Sequence, residues 1–316
     1  MMLREAIEQY ILWRQAHGAK FTCEGDVLRR LLRYADGDAA CDAVTKAQVL
    51  AFLAGKGPLT RYRENKYCAL GGFWRYAISR DLASRSPLPD NEPRPPARRP
   101  PHIYSRDELK RLFDPATITV CRRRAWQLDA ATFRTLLVLL YGAGLRYGEA
   151  TRLTLADVDL QDSVLTVRAT KFYKSRLVPI GLHLAEVLKA YMPLRQRGSS
   201  PQDDRSFLLA NRDGTALAKN TVQQAFDGLR RTVGISGRPG GREVPRLHDL
   251  RHSFAVHRLT AWYREGCDVQ RLLPVLSAYL GHADLEGTKV YLSMTPELLQ
   301  QASSRFERYA RGGSDV

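Results

Sequence analysis

Between Pro87 and Pro101 the chain holds seven of its 16 prolines, interleaved with Arg94, Arg98 and Arg99. Proline has no backbone N–H and a fixed φ, so such a run neither continues a helix nor joins a sheet interior; it is expected to be an extended, fairly stiff connector. A chain of 316 residues is long enough for two hydrophobic cores. The run is therefore read as a linker over 87–103, separating a unit at 1–86 from a larger one at 104–316.

Residues 3–85 read as a small all-helical unit. Leu3, Ile7, Tyr10 and Ile11 recur at helical spacing, as do Val27, Leu28, Leu31 and Leu32, and then Val49, Leu50, Phe52 and Leu53 behind a Thr45 suited to an N-cap. A fourth helix, from Thr60 to Tyr76, interleaves Arg61, Arg63 and Lys66 with Tyr62, Tyr67, Phe73 and Trp74. Taken singly it is an amphipathic helix with a solvated basic face.

The second unit opens on Ser105-Arg106-Asp107-Glu108, a capping-box pattern. A strongly apolar helix over 133–140 runs into Gly142-Ala143-Gly144, and Arg146 follows that glycine turn at the start of another helix, with Glu149 placed to orient its guanidinium. From Asp157 to Ile180 the period changes. Val164–Val167 and Arg176–Ile180 read as two strands of a hairpin, with Lys171-Phe172-Tyr173-Lys174 at its tip. Helices are expected again at 182–194, 219–233, 248–265, 269–280, 285–292 and 298–308, so the fold class is mainly α with a small β-sheet (α+β).

Lys and Arg total 49 against 33 Asp and Glu, a formal net charge of +16, which draws the chain to polyanions. No stretch approaches the roughly 18 uninterrupted apolar residues of a spanning helix. The N-terminus reads as ordinary amphipathic helix rather than a signal peptide, so a cytoplasmic location is expected. Five scattered cysteines without a CxxC pair suggest reduced thiols, neither a disulfide framework nor a zinc ribbon. The glycine-rich loop at 237–242 lacks nucleotide-cradle spacing. No cofactor and no metal are expected.

The densest chemistry lies between Arg246 and Tyr291. His248-Asp249-Leu250-Arg251-His252 opens it, Tyr279-Leu280-Gly281-His282 closes it, and Tyr291 follows His282 by nine positions (291 − 282). Alone, His282 could cap a helix and Tyr291 could be an ordinary core aromatic. His252 is expected to pack or cap, because His248 and Arg251 already occupy one helical face.

Together, Arg146 in GAGLRYGEA, Lys171 on the hairpin, HDLRHSFA at 248–255, YLGH at 279–282 and Tyr291, in this order, resemble the catalytic domain of the tyrosine recombinases, the lambda-integrase family. The resemblance spans roughly the whole second unit, and the helical unit is similar to that family's core-binding domain in architecture. It implies a site-specific DNA recombinase or integrase. Arg146 and Arg251 would neutralise the non-bridging phosphate oxygens with permanently charged forks, and Tyr291 would form a covalent 3′-phosphotyrosyl link that keeps the bond energy for rejoining without ATP. His248 and His282 would assist in hydrogen bonding and proton transfer, and Lys171 would protonate the leaving 5′-oxygen. Glycines often flank that lysine in the family; here Thr170 and Phe172 do, which leaves Lys174 open as the alternative.

The resemblance further implies duplex DNA as partner, four protomers on two duplexes and accessory DNA-bending or directionality proteins, in a bacterial mobile element. Arg61, Arg63, Lys66, Arg98, Arg99 and Lys174 are candidate DNA contacts. The stripe Leu298, Leu299, Ala302 and Phe306 could dock on a neighbouring protomer or on its own unit. A type IB topoisomerase-like enzyme and a catalytically silent DNA-binding regulator are the rival readings.

Overall fold

The computed structural model describes residues 1–55, 60–90, 100–121, 128–168, 175–196, 203–236, 244–282, 284–293, 300 and 303–304. The chain divides into two compact units, Met1–Arg98 and Arg99–Val316. Among the described residues no helix is long and apolar enough to cross a membrane.

The first unit is helical, with α1 (Leu3–Ala16), α2 (Thr22–Leu31), α3 (Lys46–Ala54) and α4 (Arg61–Ser79). Each presents one apolar stripe to a common core: Leu3 and Ile7, Leu28 and Leu31, Phe52 and Leu53, Phe73 and Trp74 are all buried there. Thr45 caps α3 by accepting the Gln48 N–H (3.3 Å), a contact worth about 1 kcal/mol. Where α1 and α4 cross, a Cβ on Gly72 would stand 2.6 Å from the Tyr10 hydroxyl, so a larger residue there would have to displace that hydroxyl.

The second unit begins with α5 (Arg106–Phe113), whose Ser105 and Glu108 form the expected capping box, and α6 (Pro115–Cys121). The central helix α7 (Ala130–Gly142) buries Phe133, Leu136, Leu137, Leu139 and Leu140. The short α8 (Tyr147–Ala150) leads into a three-stranded antiparallel sheet of β1 (Val158–Asp159), β2 (Val164–Val167) and β3 (Arg176–Pro179), in that order. Strand β1 is an addition to the two strands read from sequence; two residues are too short for alternation to reveal it. Val164 pairs with Pro179 and Val167 with Arg176, turning Leu165, Val167 and Val178 into the core.

Then follow α9 (Leu182–Gln196), α10 (Lys219–Thr232), α11 (Asp249–Arg264), α12 (Val269–Leu280) and α13 (Glu286–Lys289). Helices α9 and α11 both pack on α7. Tyr104, fully buried, ties the start of the unit to α11: its N–H donates to Ser253 Oγ (2.8 Å) and its hydroxyl to the Arg246 carbonyl (3.1 Å). The single helix expected over 285–292 is instead α13 followed by a tighter 3-10 turn at Val290–Ser293. Such tightening is a common way for a helix end to satisfy its last carbonyls, and here it carries Tyr291 onto α11. The glycine-rich loop at 237–242 and the stripe at Leu298, Leu299, Ala302 and Phe306 lie outside the described residues.

Candidate active site

Helix α7 ends at a turn in which Gly144 has φ +58°, and a Cβ there would meet the Phe254 ring at 2.6 Å. Only glycine fits, and the turn delivers Arg146 to the N-cap of α8. Arg146 is held on both sides by one carboxylate: its N–H donates to Glu149 Oε2 (3.0 Å) and its Nη1 to Oε1 (2.8 Å).

Glu149 is buried, and two further arginines converge on it. Arg176, the first residue of β3, forks onto it with Nη1 to Oε1 at 3.1 Å and Nη2 to Oε2 at 2.8 Å. Arg251 from α11 brings Nη1 to 3.8 Å from Oε2. Burial alone would raise Glu149, but hydrogen bonds from Arg176 and Arg146 outweigh it and hold the carboxyl at about 2. Three guanidiniums around one carboxylate (3 − 1) leave two formal positive charges uncompensated, a fit for a phosphate.

The second anchor is the C-terminal end of α12, where Gly281 takes the left-handed conformation. A helix end leaves carbonyls without intrahelical partners, and the arginines take them. Arg176 Nε donates to the Tyr279 carbonyl (2.9 Å), Arg251 Nη2 to that of Leu280 (2.6 Å), and Arg146 Nη2 to that of Gly281 (2.9 Å). Arg251 also donates to the Gly144 carbonyl (2.6 Å). It is 2 % exposed. Burial and the neighbouring Arg146 lower it to about 10, which leaves it charged at neutral pH.

Aromatic and imidazole rings pack beside the arginines. Tyr291 is 2 % exposed; burial raises its phenol while Arg251 opposes the rise, so the hydroxyl is protonated at neutral pH. His282 stacks on it (centroids 6.1 Å, planes 26° apart) and engages Thr288 Oγ1 through Nδ1 at 2.6 Å. Burial and then Arg251 bring His282 down to about 4. His248 keeps surface exposure, yet desolvation by the surrounding protein and then Arg251 lower it as well. Its ring meets that of His252 edge-on (4.8 Å), and His252 Nδ1 lies 3.2 Å from the Tyr291 hydroxyl.

The structure therefore gathers Arg146, Glu149, His248, Arg251, His282 and Tyr291 in one cluster. Lys171, Lys174, Arg98 and Arg99 lie outside the described residues. In the first unit, Arg61 pairs with Glu64 (2.9 Å), Lys66 donates to the Phe52 carbonyl (2.7 Å) with its Nζ over the Phe52 ring, and Arg63 Nε is buried without a hydrogen-bond partner among the described residues.

Two residues in contact with Glu149 and Tyr291 are not among the site residues that the sequence proposes. Arg176 carried one signal: strand alternation puts it on the same face as buried Val178, and an inward charge needs a partner. His252 is expected to pack or cap, and its ring does pack, set against Tyr291 with Nδ1 3.2 Å from the hydroxyl. It lies four residues after His248, so the helical period returns it to the same face, against the tyrosine. Arg176→Lys keeps the charge but loses the fork, and is expected to lower stability by about 1–3 kcal/mol in urea titrations. An unchanged midpoint would mean that Arg146 and Arg251 hold Glu149 without it.

The family model for the phage integrase family matches residues 105–297. Over 308 residues the chain is 35% identical to a Sinorhizobium fredii protein that carries a provisional integrase/recombinase name, covering 96% of this chain and 97% of that one. It is 32% identical to the tyrosine recombinase XerA of Thermococcus kodakarensis, covering 86% of this chain and 85% of that one. Its fold is similar to the Tn1549 transposon integrase in complex with transposon right end DNA (TM-score 0.69, 16% identity, 98% of this chain and 100% of that one). It is also similar to the lambda integrase tetramer bound to a Holliday junction (TM-score 0.65, 16% identity, 92% and 77%).

Proposed function

The chain belongs to the phage integrase family of tyrosine recombinases, and on that premise we propose that it cuts and rejoins DNA at specific sites through a covalent 3′-phosphotyrosyl intermediate. The observation that carries this reading is the buried Tyr291 phenol set beside Arg251, in a cluster whose three arginines share one buried carboxylate. A scissile phosphate there meets fixed guanidiniums that stabilise the charge developing on its non-bridging oxygens.

Tyr291 oxygen attacks phosphorus in line, the bond to the 5′-oxygen breaks, and the liberated 5′-hydroxyl of a second strand reverses the step on the same intermediate. Arg146 and Arg251 clamp the phosphate, Glu149 holds the arginines in register, and His248 and His282 donate hydrogen bonds to the phosphoryl oxygens. Lys171 supplies the proton to the leaving oxygen. Residues 1–86 act as the core-binding domain and 104–316 as the catalytic domain, joined by 87–103, with Arg61, Arg63, Lys66, Arg98, Arg99 and Lys174 on the DNA. The relatives' names and the DNA-bound tetramer support a working unit of four protomers on two duplexes, in the service of a mobile element.

The test is covalent capture. A pool of nicked duplexes with a randomised core is incubated with the protein, adducts are recovered under denaturing conditions, and the modified peptide is sequenced by mass spectrometry. The expected result is a nucleotide on Tyr291 and an enriched DNA site; no adduct across the pool sinks the reading. On the recovered site, Lys171→Ala is expected to slow cleavage by roughly 10²-fold or more. A 5′-bridging sulfur, which leaves without a proton, should restore that rate; restoration in Lys174→Ala instead assigns the acid to Lys174.

A further inference from the structure

The resemblance gives proton transfer to His248 and His282 but does not say which imidazole meets the phenol proton. Tyr291 is neutral in its buried setting, so attack must shed that proton as the oxygen–phosphorus bond forms. Three histidines surround the ring, and they differ in what they present to the hydroxyl. His282 turns its face to the tyrosine ring and commits Nδ1 to Thr288 Oγ1. His248 presents its ring to His252, not to the phenol. Of the three, His252 brings a ring nitrogen to the hydroxyl, Nδ1 at 3.2 Å, with the two rings tilted at 58° and their centroids 5.5 Å apart.

Resting on the assignment of Tyr291 as nucleophile, we propose that His252 is a catalytic residue that accepts the Tyr291 proton through Nδ1 as the tyrosyl–phosphate bond forms, and returns it when that bond is broken in rejoining. The neutral phenol donates its O–H, so Nδ1 carries the lone pair and Nε2 the hydrogen. In cleavage the Tyr291 O–P bond forms, the P–O5′ bond breaks, the phenol proton passes to Nδ1, and the 5′-oxygen takes a separate proton from the acid. No oxidant or further reactant enters.

Position on α11 supports the role. His252 follows Arg251 directly and lies one turn beyond His248, so the residue that clamps the phosphate and the residue that faces the nucleophile are set by the same rigid helix. In the free protein burial and the nearby His248 bring His252 down to about 4. Arg246 and Arg251 push the same way and Asp249 opposes them. A bound phosphate adds negative charge beside those cations and makes the imidazole a stronger base at the moment it is needed.

The experiment uses the full chain on the nicked duplex recovered by covalent capture, with single-turnover adduct formation as the readout. His252→Phe keeps a ring and removes the acceptor; His252→Asn puts an amide oxygen near the place of Nδ1 and restores acceptance of a hydrogen bond. The Phe variant is expected to cleave about 10²-fold more slowly or worse, with DNA affinity and melting temperature near the parent's, and the Asn variant, whose amide oxygen accepts a hydrogen bond but is too weak a base to take the proton, to be about as slow. The Phe defect is expected to persist on the 5′-bridging sulfur substrate, since it concerns the nucleophile and not the leaving group. Cleavage by His252→Phe within about threefold of the parent, which is little beside a general-base effect, overturns the proposal. So does restoration by the sulfur substrate, or an Asn variant that cleaves at the parent's rate, which would make the contact a hydrogen bond and not a proton transfer. Adduct formation by Tyr291→Phe would instead remove the nucleophile assignment on which the proposal stands, so the two failures are told apart.

Discussion

Tyr291→Phe is expected to bind DNA as the parent does and to form no covalent adduct. The substitution deletes one oxygen and leaves the ring among Phe254, Leu276 and Leu280, where its packing is unchanged. The structural loss is one hydrogen bond to His252, about 1 kcal/mol. The chemical loss is the whole covalent route, roughly 10⁴-fold or more in strand cleavage. These differ enough to separate in one set of measurements: thermal melting and DNA titration should move little, while adduct formation disappears. A variant that loses binding in proportion to cleavage would make Tyr291 a contact or packing residue, and one that still forms the adduct would place the nucleophile elsewhere.

Glu149→Gln should have the largest effect on stability. The amide fits the same space, yet it leaves Arg146, Arg176 and Arg251 around a neutral group, and removing one partner of a buried ionic cluster costs about 3–5 kcal/mol. The loss has a sign in pH. The Glu149 carboxyl stands at about 2 in the folded chain against an ordinary 4.5, so the stability it contributes is complete above 4.5 and is lost as pH falls toward 2. The difference between parent and variant in urea midpoint should be full at pH 7 and narrow steadily below 4.5. A gap that is the same at pH 7 and pH 3 would mean that shape, not charge, makes Glu149 necessary. Cleavage should fall in the variant as well, because arginines that repel one another without a shared anion lose their common position.

Much of this site is legible in the order of residues along the chain. Arg146 after its glycine turn, Glu149 one turn on, the pair His248 and Arg251, then His282 and Tyr291 all fall where helical spacing and turn chemistry put them. What spacing could not show is who meets whom across the fold. Arg176 reads as the first residue of a strand, and its partner is 27 residues away on another element. The two-residue strand β1 and the 3-10 turn under Tyr291 are settled by packing rather than by local preference. His252 is the instructive case: the four-residue interval from His248 is visible in the sequence and predicts a packed ring, whereas the partner it packs on, Tyr291, is not. A helical face has room for both, one above the other.

The arginine cluster is addressed largely through the main chain. Tyr279, Leu280 and Gly281 receive their guanidiniums on carbonyl oxygens, which every amino acid carries alike. Mutational drift at 279 and 280 therefore acts on the cluster only through packing, whereas Gly281 has almost no latitude. It adopts φ +68°, and any Cβ there would stand 2.7 Å from Arg176 Nη1. Along these three positions the heritable information that matters for the cluster is a backbone path, and it is written in a single glycine.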